Sequence, residues 1–108
     1  MPDPLAGGRP FDRGALARSA HLAAAGLVGA VIVGGRGPEM VAILLTEVEA
    51  YEAASDPGSH AYRGRSARNG TMFGPPGHLY VYRHLGLHFC LNVTCHSPDG
   101  AGAILLRA

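Results

Sequence analysis

Apolar positions change period along the chain, and the changes mark the elements. Leu16, Ala20, Ala23 and Leu27 recur at three- and four-residue intervals, the stripe of one helical face. Asp12 stands where an N-cap belongs and Gly26 where a helix stops, so the spacing predicts a helix over residues 13–25. The pattern then shortens and becomes β-branched. Residues 28–33 and 40–46 are two apolar runs separated by Gly34, Gly35, Gly37 and Pro38, which predicts a β-hairpin. Glu47, Glu49 and Tyr51 follow the second run on one parity, so extended backbone there points all three to one face.

Further on, residues 78–83 set His78, Tyr80 and Tyr82 against Leu79, Val81 and Arg83. Residues 87–95 set Leu87, Phe89, Leu91 and Val93 against His88, Cys90, Asn92 and Thr94. Both alternations predict strands, and residues 103–107 start one more after a turn over 97–102. Residues 53–76 hold Gly, Ser, Pro and Asn in quantity and read as a long surface loop, which in a small domain usually carries function or motion. Residues 1–10 are rich in Pro and Gly and are expected to be disordered. The fold class expected is α+β, in one domain over residues 1–108.

The apolar run 22–33 follows three arginines and could imitate a leader or a span. Gly26 and Gly29 interrupt it, and it is shorter than the roughly 20 residues a spanning helix needs, so export and membrane insertion are not expected. With 47% apolar and 16% charged residues, 108 residues suit one globular domain with a modest core. The chain stops at Ala108 inside an apolar strand, so the expectation is a partial domain whose later half is missing.

A net charge of +1 does not by itself mark a nucleic-acid binder. The distribution changes that picture. Arg63, Arg65 and Arg68 fall within six positions, and no acidic residue stands between Asp56 and Asp99. All nine basic residues are arginine, which excludes chemistry through a lysine Schiff base. Cys90 and Cys95 match no strong metal motif and read as buried thiols of a reducing cytoplasm.

Four groups of residues could carry chemistry. Glu47 and Glu49 share a face, and partial burial would raise the pKa of either toward a value useful for taking a proton from water; spacing alone does not choose between them. Tyr51, His60 and Tyr82 could form a slot for a flat heterocycle, or could be ordinary strand residues with hydroxyls in water. His84, His88, Cys90 and His96 could be read as metal ligands, but no HExxH arrangement or carboxylate cluster accompanies them. Gly64, Arg65, Arg68, Asn69 and Gly70 form a cationic loop able to fork onto phosphate oxygens, or simply a solvated one.

The ordered set says more than any member. E-x-E-A-Y at 47–51, His60, R-N-x-x-M-F at 68–73, P-G-x-L-Y-V-Y at 76–82, F-C-x-N at 89–92 and the closing GAILLRA resemble the alkyladenine (3-methyladenine) DNA glycosylase family of animals and bacteria. The resemblance covers residues 15–108. It implies an N-terminal helix plus a curved, mostly antiparallel sheet, a formyltransferase C-terminal-domain-like fold. It also implies a monofunctional base-excision enzyme without metal or organic cofactor. Such an enzyme turns alkylated or deaminated purines out of duplex DNA and hydrolyses the N-glycosidic bond.

Roles follow from the same resemblance. Glu49, rather than Glu47, matches the water-activating carboxylate, and Arg107 matches the arginine that helps hold the water. Tyr51, His60 and Tyr82 match the rings around the extruded base, with the His60 backbone N–H a donor to the base edge. Asn92 matches an amide at the pocket floor that helps reject normal purines. Leu85 occupies the place of the wedge, a tyrosine in the best-known members, with His84 beside it and Arg63, Arg65 and Arg68 as DNA contacts. The partner expected is damaged double-stranded DNA and no membrane. The protein is expected to be a monomer in the bacterial cytoplasm, at the nucleoid. The competing expectation is a truncated, catalytically inactive DNA-binding fragment.

Overall fold

The computed structural model describes residues 8–53, 58–61, 64–84, 86–96 and 100–107, with His84 described by its backbone alone. The N-terminal helical stretch is not one helix. A 3-10 turn over Arg13–Leu16 is followed by α1, Ala20–Ala24. Asp12 caps the first as expected, accepting a hydrogen bond from Gly14 N at 2.9 Å. The break has a tertiary cause. The backbone N–H of His96 donates to the carbonyls of both Leu16 and Arg18, at 3.0 and 3.1 Å, which turns them away from a continuing helical ladder. The predicted stripe survives the break: Leu16, Ala20, Ala23 and Leu27 are all buried.

The hairpin forms between β1, Val31–Gly34, and β2, Val41–Leu44, in antiparallel register. Gly35 opens its turn at φ +85°, where an added Cβ would stand 2.5 Å from the Glu39 carbonyl oxygen. The chain then changes partners. Leu45 exchanges hydrogen bonds with Gly29 and Ala30 beside the hairpin, whereas Thr46 N donates to the carbonyl of Arg107. Glu47, Glu49 and Tyr51 therefore lie not at the end of the hairpin strand but on a separate strand, β3, Glu47–Tyr51.

β3 belongs to a four-stranded antiparallel sheet with β4, Leu79–His84, β5, His88–Thr94, and β6, Ala103–Arg107, in the order β3-β6-β5-β4. β6, which follows the other three along the chain, is thus an inner strand. One face of the sheet packs α1: Val93, Cys95 and Ile104 are buried with the helical stripe, and Val48, Ala50 and Leu106 lie against them. Helix α1 lies mainly over β3 and β6. Farther along the same face Leu79, Val81 and Phe89 are 56%, 52% and 75% exposed. The other face carries Ala103, Asn92, Thr94, Tyr80 and Tyr82, and a second cluster of Ala53, Ala61, Met72, Tyr80, Ala101 and Ala103 closes over part of it. No helix among the described residues is long and apolar enough to cross a membrane, and the run 22–33 divides between α1, a turn and β1.

Candidate active site

Register assembles the site. Glu49 pairs with Leu105, Leu105 with Asn92, and Asn92 with Tyr80. These four residues form one row across all four strands, so their side chains share a face, with neighbouring strands about 4.8 Å apart. Tyr51 and Ala103 pair in the adjacent row, and Tyr82 stands opposite Cys90.

The Glu49 carboxylate is held at both oxygens. The Tyr51 hydroxyl donates to Oε1 at 2.9 Å, and Arg107 Nη1 donates to Oε2 at 3.0 Å. Arg107 Nε also stands 3.8 Å from Glu47 Oε2, a looser contact between two exposed side chains. The expectation that burial raises the pKa of this carboxylate is overturned. The Tyr51 hydrogen bond first, then the Arg107 hydrogen bond and charge, hold Glu49 below its ordinary value, and burial opposes them too weakly to win. Its side chain is 40% exposed, which explains the small desolvation cost.

Beside it lies a cavity of about 190 Å³ lined by Tyr51, Gly58, His60, Met72, Tyr80, Tyr82, Asn92 and Ala103. His60 and Tyr82 face each other with ring centroids 4.2 Å apart and planes tilted by 48°. Tyr80 meets His60 edge-on at 6.1 Å and Tyr82 at 5.4 Å. The Tyr80 hydroxyl and His60 Nδ1 are 3.0 Å apart. Burial pushes the Tyr80 phenol up, with the Arg68 charge pulling the other way, so the hydroxyl keeps its proton. Burial, then contact with Cys90, pushes Tyr82 up to about 12. Asn92 is 2% exposed, and its Nδ2 donates to the Tyr80 carbonyl at 3.1 Å, which fixes the amide at the cavity floor.

The loop that brings His60 here is tied by one side chain. Asn69, 4% exposed, accepts from Ser66 N at 2.7 Å and donates to the carbonyls of His60 and Gly64 at 2.8 and 3.1 Å. Ser59 Oγ accepts from Ala61 N at 3.1 Å, which tightens the turn around His60. Arg65 and Arg68 are exposed, and Arg68 lines a second, shallower hollow with His60, Ser66, Asn69 and Tyr80.

The structure thus brings Glu49, Arg107, Tyr51, His60, Tyr82 and Asn92 to one sheet face and the loop above it. Arg63, Leu85 and the His84 side chain lie outside the described residues. Sequence reasoning put Tyr80 on the strand face of Tyr82 and Asn69 in the cationic loop, but gave neither a role at the cavity. Tyr80 was legible, because it shares parity with Tyr82; Asn69 was not, because its partners are backbone groups of a loop. Cys90 and Cys95 are both free thiols. Cys95 sits in the core, where burial first and the Glu52 charge second push it up to about 12. Among the described residues no three His, Cys, Asp or Glu side chains come together as a metal cage.

The arrangement offers an ionised carboxylate, an adjacent cation and an aromatic cavity opening beside both. Residues 14–108 match the family model described as methylpurine-DNA glycosylase. The chain is 50% identical over 99 residues to a protein of Streptomyces avermitilis, covering 92% of this chain and 46% of that protein. It is 47% identical over 107 residues to one of Rhodopseudomonas palustris strain HaA2, covering 99% and 51%. A protein of Burkholderia cenocepacia is 58% identical over 65 residues, which is 59% of this chain and 31% of that protein. All three carry the name "Putative 3-methyladenine DNA glycosylase". The chain spans about half the length of the first two relatives. A match over residues 14–108, with that identity along nearly the whole chain, means that it belongs to the methylpurine-DNA glycosylase family.

Proposed function

We propose that this site hydrolyses the N-glycosidic bond of an alkylated or deaminated purine turned out of duplex DNA. The observation that carries the reading is the two-sided hold on Glu49 at the edge of a ring-lined cavity. A carboxylate kept below its ordinary pKa is ionised at neutral pH and accepts a proton from water. In the proposed step the water oxygen bonds to C1′, the C1′–N bond breaks, the purine leaves with the electron pair, and the water proton passes to Glu49. A weak base suffices where the leaving group is cationic, because that bond is already polarised toward cleavage. Electron-rich ring faces attract such a base, and stacking contributes roughly 1–3 kcal/mol per base. The cationic loop of Arg65 and Arg68 holds the duplex by its phosphates. The setting is the cytoplasm, with DNA as the partner.

The His60–Tyr82 pair supports a second reading, binding without cleavage. Centroids 4.2 Å apart leave no gap for an intervening base. A base between two rings needs about 7 Å, twice the ~3.4 Å stacking rise. Base entry therefore requires the rings to part by about 3 Å.

One assay separates the two. The chain is incubated with methylated duplex, and released base and alkali-labile sites are measured. Hydrolysis predicts release that falls about 10²–10⁴-fold in Glu49→Gln with duplex binding retained. Binding by the parent chain without release selects the second reading, and release by Glu49→Gln at the parental rate removes Glu49 from the role.

A further inference from the structure

Tyr51 stands in two places at once. Its side chain walls the cavity, and its hydroxyl donates to Glu49 Oε1 at 2.9 Å. Residues two apart on a strand share a face, so β3 itself brings the phenol back over the carboxylate. A phenol has one proton to donate, and here it goes to Glu49. Each carboxylate oxygen has two acceptor sites. With Tyr51 on Oε1 and Arg107 on Oε2, one site on each oxygen is left for water, and the plane of the group is fixed from both ends.

We infer that Tyr51 is a positioning residue for Glu49, so that the ring walling the cavity and the proton acceptor move as one unit. The inference rests on the reading of Glu49 as the water-activating group. It differs from a stacking role, which the ring alone would fill and phenylalanine would keep. Among the described residues, these charged and titratable groups lie on the elements around Glu49. Glu47 lies on the same strand, Arg107 comes from β6, and His21, the titratable residue of α1, is engaged with Glu52 at 3.2 Å. Tyr51 and Tyr82 of β4 line the same cavity. The Tyr51 hydrogen bond is the largest single influence that lowers the Glu49 pKa, and Arg107 adds to it through both a hydrogen bond and its charge.

The test is a carbon-13 NMR titration of the full 108-residue chain, labelled at glutamate Cδ and tyrosine Cζ. In the unmodified chain the Tyr51 Cζ resonance is expected to move with the midpoint of the Glu49 carboxyl. In Tyr51→Phe the Glu49 midpoint rises. A Tyr51 Cζ signal that stays flat through the Glu49 titration overturns the inference, and so does an unmoved Glu49 midpoint in Tyr51→Phe. Should Tyr51→Phe not fold, the Cζ measurement decides alone. None of these readouts requires catalysis. Base release by Glu49→Gln at the parental rate would defeat the proposed function while leaving the Tyr51–Glu49 linkage intact.

Discussion

At the scale of single residues, a short list of hydrogen bonds sets the behaviour of the site. Because Glu49 is held below its ordinary pKa, its contribution to stability is fully present above the unfolded carboxylate value, about 4.3, and is lost as pH falls through the lower folded one. Denaturant titrations from pH 7 downward should therefore show a constant gap between the parent and Glu49→Gln near neutrality. That gap should close in acid. Asn69 is a second case. Replacing it with alanine removes the hydrogen bonds that Asn69 makes to Ser66 N and to the His60 and Gly64 carbonyls. The expected loss is about 1–3 kcal/mol, measured by urea unfolding, with the His60 ring released from its place over Tyr82.

Elements show what alternation reveals and what it conceals. β6 occupies the residues that its apolar run predicted, and β4 and β5 differ from expectation by a residue at their ends. The common face of Glu47, Glu49 and Tyr51 was readable because parity survives even where a strand changes partners. The split helix was not readable, because its cause is the N–H of His96, far along the chain. Nor was the state of Glu49, since its cation lies 58 residues away on another strand. Local pattern specifies direction; long-range register decides neighbours. Two predictions belong here. Gly35→Ala forces a side chain into positive φ and against the Glu39 carbonyl, which should destabilise by at least 1–2 kcal/mol, roughly the cost of left-handed backbone, in a thermal melt. Arg68→Ala should lower DNA affinity in all sequences and reduce the slope of log affinity against log salt by about 0.9, if Arg68 makes one phosphate contact.

For the molecule as a whole, Ile104 is the central test of the core. It is 0% exposed, on an inner strand between the helix layer and the sheet. Ile104→Ala should cost about 2–5 kcal/mol in denaturant unfolding. The face beyond α1 behaves differently: Val81 and Phe89 are largely open to water, so Phe89→Ser should leave the unfolding midpoint nearly unchanged while raising solubility in light scattering. The position of β6 has a wider bearing. Residues 103–107 follow β3, β4 and β5 along the chain, yet they slot between β3 and β5, and Glu49 meets Arg107 only when they do. Until residues 103–107 are in place β3 lacks its partner in this sheet, so the Glu49–Arg107 contact waits on a closure that spans 58 residues.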